Sequence, residues 1–310
     1  MKFYFNLFLK GIAMGTANII PGVSGGTIAL ITGIFERLIN AIKSFNLKAV
    51  KLLLSGKFRE FSRHTDLGFL VILFAGVGIA LISLARIFDF LFQQYPVFIW
   101  SYFFGLILAS VYYVGRTIEK WNAMVVFLLL AGAGIAIIIG FMNPATENSN
   151  TFYLFLCGIV AVCSMILPGI SGSFILILMG NYQLVAIEAI NNLRLDILLP
   201  VLIGAVVGLL GFSYLLSWIF KRFRDQTIAL LTGFILGSLG IIWPWKEVVY
   251  LMDEAGNQIL KNGEPIVSRY AIAAPPALDA SFYIAVFIMI LGIASIWIIE
   301  KQAQADKQKK

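Results

Sequence analysis

Residues 11–33 read GIAMGTANIIPGVSGGTIALITG, and residues 158–180 read GIVAVCSMILPGISGSFILILMG. They align without a gap. Gly11 falls on Gly158, Pro21 on Pro168, Gly22 on Gly169, Ser24 on Ser171, Gly25 on Gly172 and Gly33 on Gly180. A self-match of this kind resets the reading of a whole chain. It continues in the same order: Asn40-Ala41-Ile42 resembles Glu188-Ala189-Ile190, GLILAS at 105–110 resembles GFILGS at 233–238, and VFLLLAGAGIAIII at 126–139 resembles VFIMILGIASIWII at 286–299. Shared apolar residues arise easily by chance; collinear glycines and prolines do not.

Composition says where the duplicated chain lives. Of its 310 residues 60% are hydrophobic and 13% charged, with a mean hydropathy of +0.92. A soluble domain carries ~25% charge and could not hide this much apolar surface. Several apolar runs approach the ~20 residues a helix needs to cross hydrocarbon. Backbone groups in lipid must be satisfied internally, and unbroken runs such as 125–139 favour helices over the alternating strands of a barrel. The expected fold is an all-α polytopic membrane protein with no cleaved leader, because Lys10 interrupts the apolar stretch 3–9 and no small-residue cleavage site follows. Repeat 1 covers 1–147, with an interrupted segment at 4–35 and helices near 67–92, 96–115 and 122–142. Repeat 2 covers 148–310, with an interrupted segment at 152–182, helices near 197–220, 226–243 and 280–300, and an outer loop at 246–279.

Each interrupted segment holds two pieces too short to span. Read as re-entrant helical hairpins they leave three transmembrane helices per half, so the two repeats insert with inverted topology. The alternative is a single kinked span. Charge favours the hairpins. One side then receives Lys2, Lys10, Arg37, Lys43, Lys48, Lys51, Lys57, Arg59, Arg63, Arg116, Lys120, Lys221, Arg222, Arg224, Lys301, Lys307, Lys309 and Lys310. The other receives Arg194, Lys246, Lys261 and Arg269. The first side is therefore cytoplasmic and holds both termini. On this reading the net charge of +7 reflects orientation and contact with anionic membrane lipids rather than nucleic acid. The basic stretch 43–63 is expected to lie along the membrane as an amphipathic segment.

The bends carry the candidate chemistry. Proline stops the first half-helix, glycine permits the sharp path, and Ser24 or Ser171 caps the helix that follows. Such a helix start attracts phosphate or carboxylate. The expected anion-binding residues are Pro21, Gly22, Ser24, Gly25, Gly26, Thr27, Pro168, Gly169, Ser171, Gly172 and Ser173. The alternative is that the small residues only pack helices. Arg86 and Asp89 stand three apart in a span, either as a structural pair or with Arg86 reaching the phosphate. Glu36 and Arg37 are candidates for coupling or gating, or else interfacial anchors; their counterparts are Gln183 and Leu184. One histidine and two cysteines, Cys157 and Cys163, suit neither a metal site nor a disulfide.

GTANIIPGVSGGTIALITGIFERL and ILPGISGSFILILMGNY resemble the signatures of the bacterial polyprenyl-phosphate transporter family, formerly a domain of unknown function. The resemblance covers most of the chain, including Ile242-Trp243-Pro244-Trp245. It implies a multi-pass protein of the plasma membrane that returns undecaprenyl phosphate across it for lipid-carrier recycling, with no catalysis and no cofactor. The family pattern has Asp three residues before the first proline; here it is Asn18, which makes a proton-titrating role at that position doubtful. Two other functions stay open on the residues alone: a phosphatase acting on lipid pyrophosphate, with Ser24 or Ser171 as nucleophile, and a carrier or channel for a small anion.

Overall fold

The computed structural model describes residues 2–19, 24–142, 144–250, 260–261, 264–265, 267–275 and 278–308. The first half opens with α1 (Lys2–Ile19), returns as α2 (Gly25–Ile31) and bends by 117° into α3 (Phe35–Lys43). Two short helices follow, α4 (Leu47–Leu54) and α5 (Phe58–His64), and then the long helices α6 (Leu67–Gln94), α7 (Pro96–Gly115) and α8 (Ala123–Phe141). The second half repeats the order with α9 (Thr151–Ile166), α10 (Gly172–Leu178), a π-helical turn over Gln183–Glu188, α11 (Ala189–Asn191), α12 (Leu195–Arg222) and α13 (Arg224–Gly237). Strands β1 (Lys246–Tyr250), β2 (Leu260–Lys261), β3 (Glu264–Pro265) and β4 (Val267–Ile272) precede α14 (Ala280–Gln308).

Local signals place the helix starts. Asn122 caps α8 by accepting from the Val125 amide at 2.9 Å, and Asn150 caps α9 through the Phe152 amide at 2.9 Å. Pro96 stands at the start of α7, where its missing N–H costs nothing. Helices α6, α7, α8, α12 and α14 are long and apolar enough to cross a membrane, so the protein is a multi-pass, mainly helical membrane protein.

The structure refines the sequence expectation in two places. The span expected at 226–243 is α-helical only over Arg224–Gly237 and tightens into a 3-10 turn over Ser238–Gly240, where the Ser238 hydroxyl donates to the Ile235 carbonyl at 2.8 Å. The expected outer loop carries short structure of its own, with β1 paired antiparallel to β4, while the fold stays mainly helical.

Both interrupted segments are hairpins in form. Near the open end of the first, Lys10 donates to the Thr32 carbonyl at 2.8 Å; near its tip, the Gly25 amide donates to Asn18 at 2.7 Å. Hence α2 runs back along α1. In the second, Tyr153 donates to the Met179 carbonyl at 2.9 Å, and α10 runs back along α9.

The halves make matching contacts. Gly11 lies on the backbone of Leu73 and Gly76 on that of Phe8, which joins α1 to α6; Gly158 on Val201 and Gly204 on Phe155 join α9 to α12 in the same way. Helices α6 and α12 each have 28 residues. The remaining long helices pair across the halves. Gly105 meets Met289 and Gly292 meets Tyr102, binding α7 to α14; Gly233 meets Leu129 and Gly132 meets Leu230, binding α13 to α8. At each of these glycines a Cβ would collide with a carbonyl of the facing helix, and small residues are what allow backbones in lipid to approach this closely.

Helix ends group by contact. Arg37 on α3 bonds Asp66 at the start of α6, and Asp225 at the start of α13 accepts from the Glu119 and Lys120 amides between α7 and α8. The open end of the second hairpin instead meets the segment after α8, where the Ala145 amide donates to the Leu178 carbonyl at 2.8 Å.

Candidate functional site

The tips of the two hairpins touch. The Gly169 amide donates to Thr27 Oγ1 at 3.1 Å, and the Ser24 hydroxyl donates to the Met165 carbonyl at 3.3 Å. Gly26 lies so close to the Ile166 carbonyl that a Cβ would stand 2.6 Å from it. Gly169 has φ +83, and a Cβ there would lie 2.6 Å from the Phe234 carbonyl; backbone conformation and space both demand glycine. Ser24, Gly25, Gly26 and Thr27 are buried, as are Pro168, Gly169 and Gly172. Ser171 is half-buried and Ser173 is exposed, with their hydroxyls 3.4 Å apart.

The serines cap as expected. Ser24 Oγ accepts from the Gly26 amide at 3.0 Å, and Ser171 Oγ accepts from the Phe174 amide at 3.2 Å. The first tip is nonetheless not an open cradle of amides. Gly25 donates to Asn18, Gly26 to the Ser24 hydroxyl, Thr27 to the Ser24 carbonyl and Gly169 to Thr27. A bend packed against a second bend satisfies its donors from within the protein, because an unpaired buried N–H is costly. Pro21 and Gly22 lie outside the described residues. So do the side chains of Arg86 and Asp89, although both positions belong to α6.

A cavity of about 700 Å³ lies at the open end of the first hairpin, between α3, the end of α7 and the start of α13. Glu36 and Arg37 line it, so the structure brings these two expected residues together on one wall, away from the tips. Arg37 makes a bidentate pair with Asp66, at 2.6 and 3.0 Å, and lies over the Phe69 ring. Arg224, from the second half, stands 3.6 Å from both Glu36 and Glu119. The sequence marks Arg224 only for sidedness and Lys43 for sidedness and the basic membrane-lying stretch, and it gives no sign of Asp66. Lys43 also joins the halves: it donates to Ser217 at 3.3 Å, and Ser217 donates to Asn40 at 2.9 Å. No spacing rule announces these contacts, since the partners come from opposite halves. Among the described residues, no group of three or more His, Cys, Asp or Glu side chains could hold a metal ion.

Residues 14–259 match the VCA0040-like family, described as undecaprenyl phosphate translocase-like. The chain belongs to this family. It is 39% identical over 305 residues to a polyprenyl-phosphate transporter of Vibrio cholerae serotype O1, covering 97% of each chain. It is 32% identical over 255 residues to a polyprenyl-phosphate transporter of Staphylococcus aureus, covering 76% of this chain and 85% of that one. No solved structure matches. Among the described residues, Ser24 and Thr27 of the first hairpin meet Met165 and Gly169 of the second, and the charged cavity is a separate feature at one end.

Proposed function

We propose that this protein carries polyprenyl phosphate, specifically undecaprenyl phosphate, across the bacterial plasma membrane and returns the lipid carrier to the cytoplasmic face. The observation that carries the reading is the contact of Thr27 and Ser24 in one hairpin with Gly169 and Met165 in the other. The matched glycine contacts of the two halves support inverted repeats, each with a re-entrant hairpin and three long helices. The grouping of helix ends, together with the basic residues, supports cytoplasmic termini. Similarity to named polyprenyl-phosphate transporters supplies the substrate class.

In this reading the paired tips form the midplane barrier. When one half rocks against the other, the bonds between tips exchange for bonds to the phosphate. Thr27, Ser24, Ser171, Ser173 and the amides of Gly25, Gly26, Gly169 and Gly172 then surround the headgroup, with Pro21, Gly22 and Pro168 shaping the bends, while the isoprenoid tail stays in lipid. Arg86, paired or not with Asp89, is the candidate cation on α6. Glu36 and Arg37 act at the cytoplasmic mouth. Asn18 holds the first tip through Gly25 rather than titrating. A membrane potential negative inside opposes inward movement of an anionic headgroup by ~2.3 kcal/mol per charge per 100 mV, so net return calls for proton uptake that neutralises the phosphate. The exposed apolar residues Leu47, Leu54 and Phe58 on α4 and α5, beside Lys48 and Lys51, suit an interfacial anchor on anionic lipid.

The test is the sidedness of undecaprenyl phosphate in proteoliposomes, comparing wild type with Ser24→Ala/Ser171→Ala. Equilibration is expected with wild type and slower equilibration with the variant. Equal rates in protein-free vesicles, release of inorganic phosphate from the lipid pyrophosphate, or flux of inorganic phosphate alone would each replace the reading with another.

A further inference from the structure

The cavity at the open end of the first hairpin has a chemistry of its own. About 700 Å³ falls within the range of small-molecule sites. One part of its wall is apolar, with Leu30, Phe35 and Phe220; the other carries Arg37 and Arg224. That combination fits a phosphomonoester attached to an apolar chain better than it fits a free ion.

The two arginines are held differently. Arg37 is locked, with a fork of two short bonds to Asp66. Arg224 is held loosely. Its contacts to Glu36 and Glu119 are both 3.6 Å, and that to the Thr117 carbonyl is 3.5 Å. Charge-assisted hydrogen bonds close to about 2.7–2.9 Å when geometry allows, so none of these is a well-formed one. Its side chain is 47% exposed, and the Glu36 to which it points is 55% exposed. A guanidinium in loose contact with exposed carboxylates gains by closing its planar fork on a phosphate. The pair also spans the molecule, because Glu36 belongs to the first half and Arg224 to the second.

We infer that this cavity is the docking site that receives a phosphomonoester headgroup on the cytoplasmic side before its release, with Arg224 as its principal cation and Glu36 as the carboxylate it displaces. Loading then breaks an ion pair between the halves, on the face where the first hairpin opens. The inference rests on the transport reading and adds a release site to it, distinct from the hairpin tips.

The experiment is a binding titration of the purified full chain in detergent by native mass spectrometry, with undecaprenyl phosphate in one arm and inorganic phosphate in the other. Wild type, Arg224→Gln, Arg224→Lys and Glu36→Gln are compared, and thermal melting is recorded for each. Arg224→Gln should weaken lipid binding ~10-fold, the scale of a hydrogen bond to a charged group. Arg224→Lys should fall between, because it keeps the charge and loses the fork. Glu36→Gln should tighten binding about threefold, because it removes an exposed carboxylate that competes for the guanidinium. Opposite signs for the two partners are the decisive result, since a purely structural ion pair predicts that both variants weaken binding. Wild-type binding of the lipid with no difference among the variants overturns the docking site alone. Wild type that binds neither ligand overturns the transport reading and the site with it. Inorganic phosphate bound as tightly as the lipid, with the same dependence on Arg224, makes this a free-anion site and overturns the headgroup assignment.

Discussion

The Gly169 amide donates to Thr27 Oγ1 at 3.1 Å, a bond between residues 142 apart in sequence that ties one hairpin tip to the other. Both residues are buried, so neither group has water to fall back on. Thr27→Val keeps the shape and removes the acceptor. It should cost about 1–3 kcal/mol, the penalty for a buried donor left unpaired. Thr27→Ser should cost less. Thermal unfolding in detergent measures both, and a Thr27→Val protein as stable as wild type would mean that this bond does not hold the tips.

The exchange of long helices between halves depends on glycine. Gly105→Ala and Gly233→Ala each put a methyl group against a carbonyl of the partner helix. Each should destabilise by about 1–3 kcal/mol through overpacking. Gly134→Ala, on α8 with open space around it, should be neutral or gain up to ~1 kcal/mol from helix propensity. Equal melting of all three variants would contradict the interhelix packing.

Asn18 accepts the Gly25 amide through its side-chain oxygen. A carboxylate can accept the same bond. Asn18→Asp should therefore melt close to wild type, whereas Asn18→Ala should lose about 1 kcal/mol, the usual cost of deleting a cap-like acceptor. An Asn18→Asp protein as unstable as Asn18→Ala would show that the oxygen is not what matters at this position.

Burial pushes the Lys246 ammonium down to about 8, even though it lies over the Trp100 ring, whose face favours the cation. The folded state thus binds its proton less well than the unfolded chain does. Stability from this group is fullest above the unfolded value near 10.4 and is lost as pH falls through about 8. Between pH 7 and pH 10 wild type should gain on the order of 2 kcal/mol relative to Lys246→Met, with the Trp100 contact reducing the figure. Melting curves at the two pH values give the comparison; a parallel response in both proteins would remove Lys246 as the source.

Much of the architecture was legible before any coordinates. Hydropathy located α6, α7, α8, α12 and α14 because a span must be long and apolar whatever it packs against. Pro and Gly marked the hairpins because few residues tolerate such bends. The sequence marks each tip as a helix start that attracts an anion, but that the Gly25 and Gly26 amides bond Asn18 and Ser24, and the Gly169 amide Thr27, depends on contacts it does not display. The end of α13 was overrun because apolar residues continue past Gly237, and hydropathy does not register the change of helix type.

By itself the sequence determined that this is a polytopic membrane protein, and it set the expectation of two related halves, each opened by a broken helix. Hydrophobicity and repetition are properties of the chain and need no partner to be read. Only the tertiary structure decided that α7 packs on α14 and α8 on α13, that Thr27 meets Gly169, and that Arg224 faces Glu36 across a cavity. These contacts join residues far apart in the chain, and each arises only when distant elements are brought together. No local pattern of charge or glycine specifies which distant surface will be the neighbour.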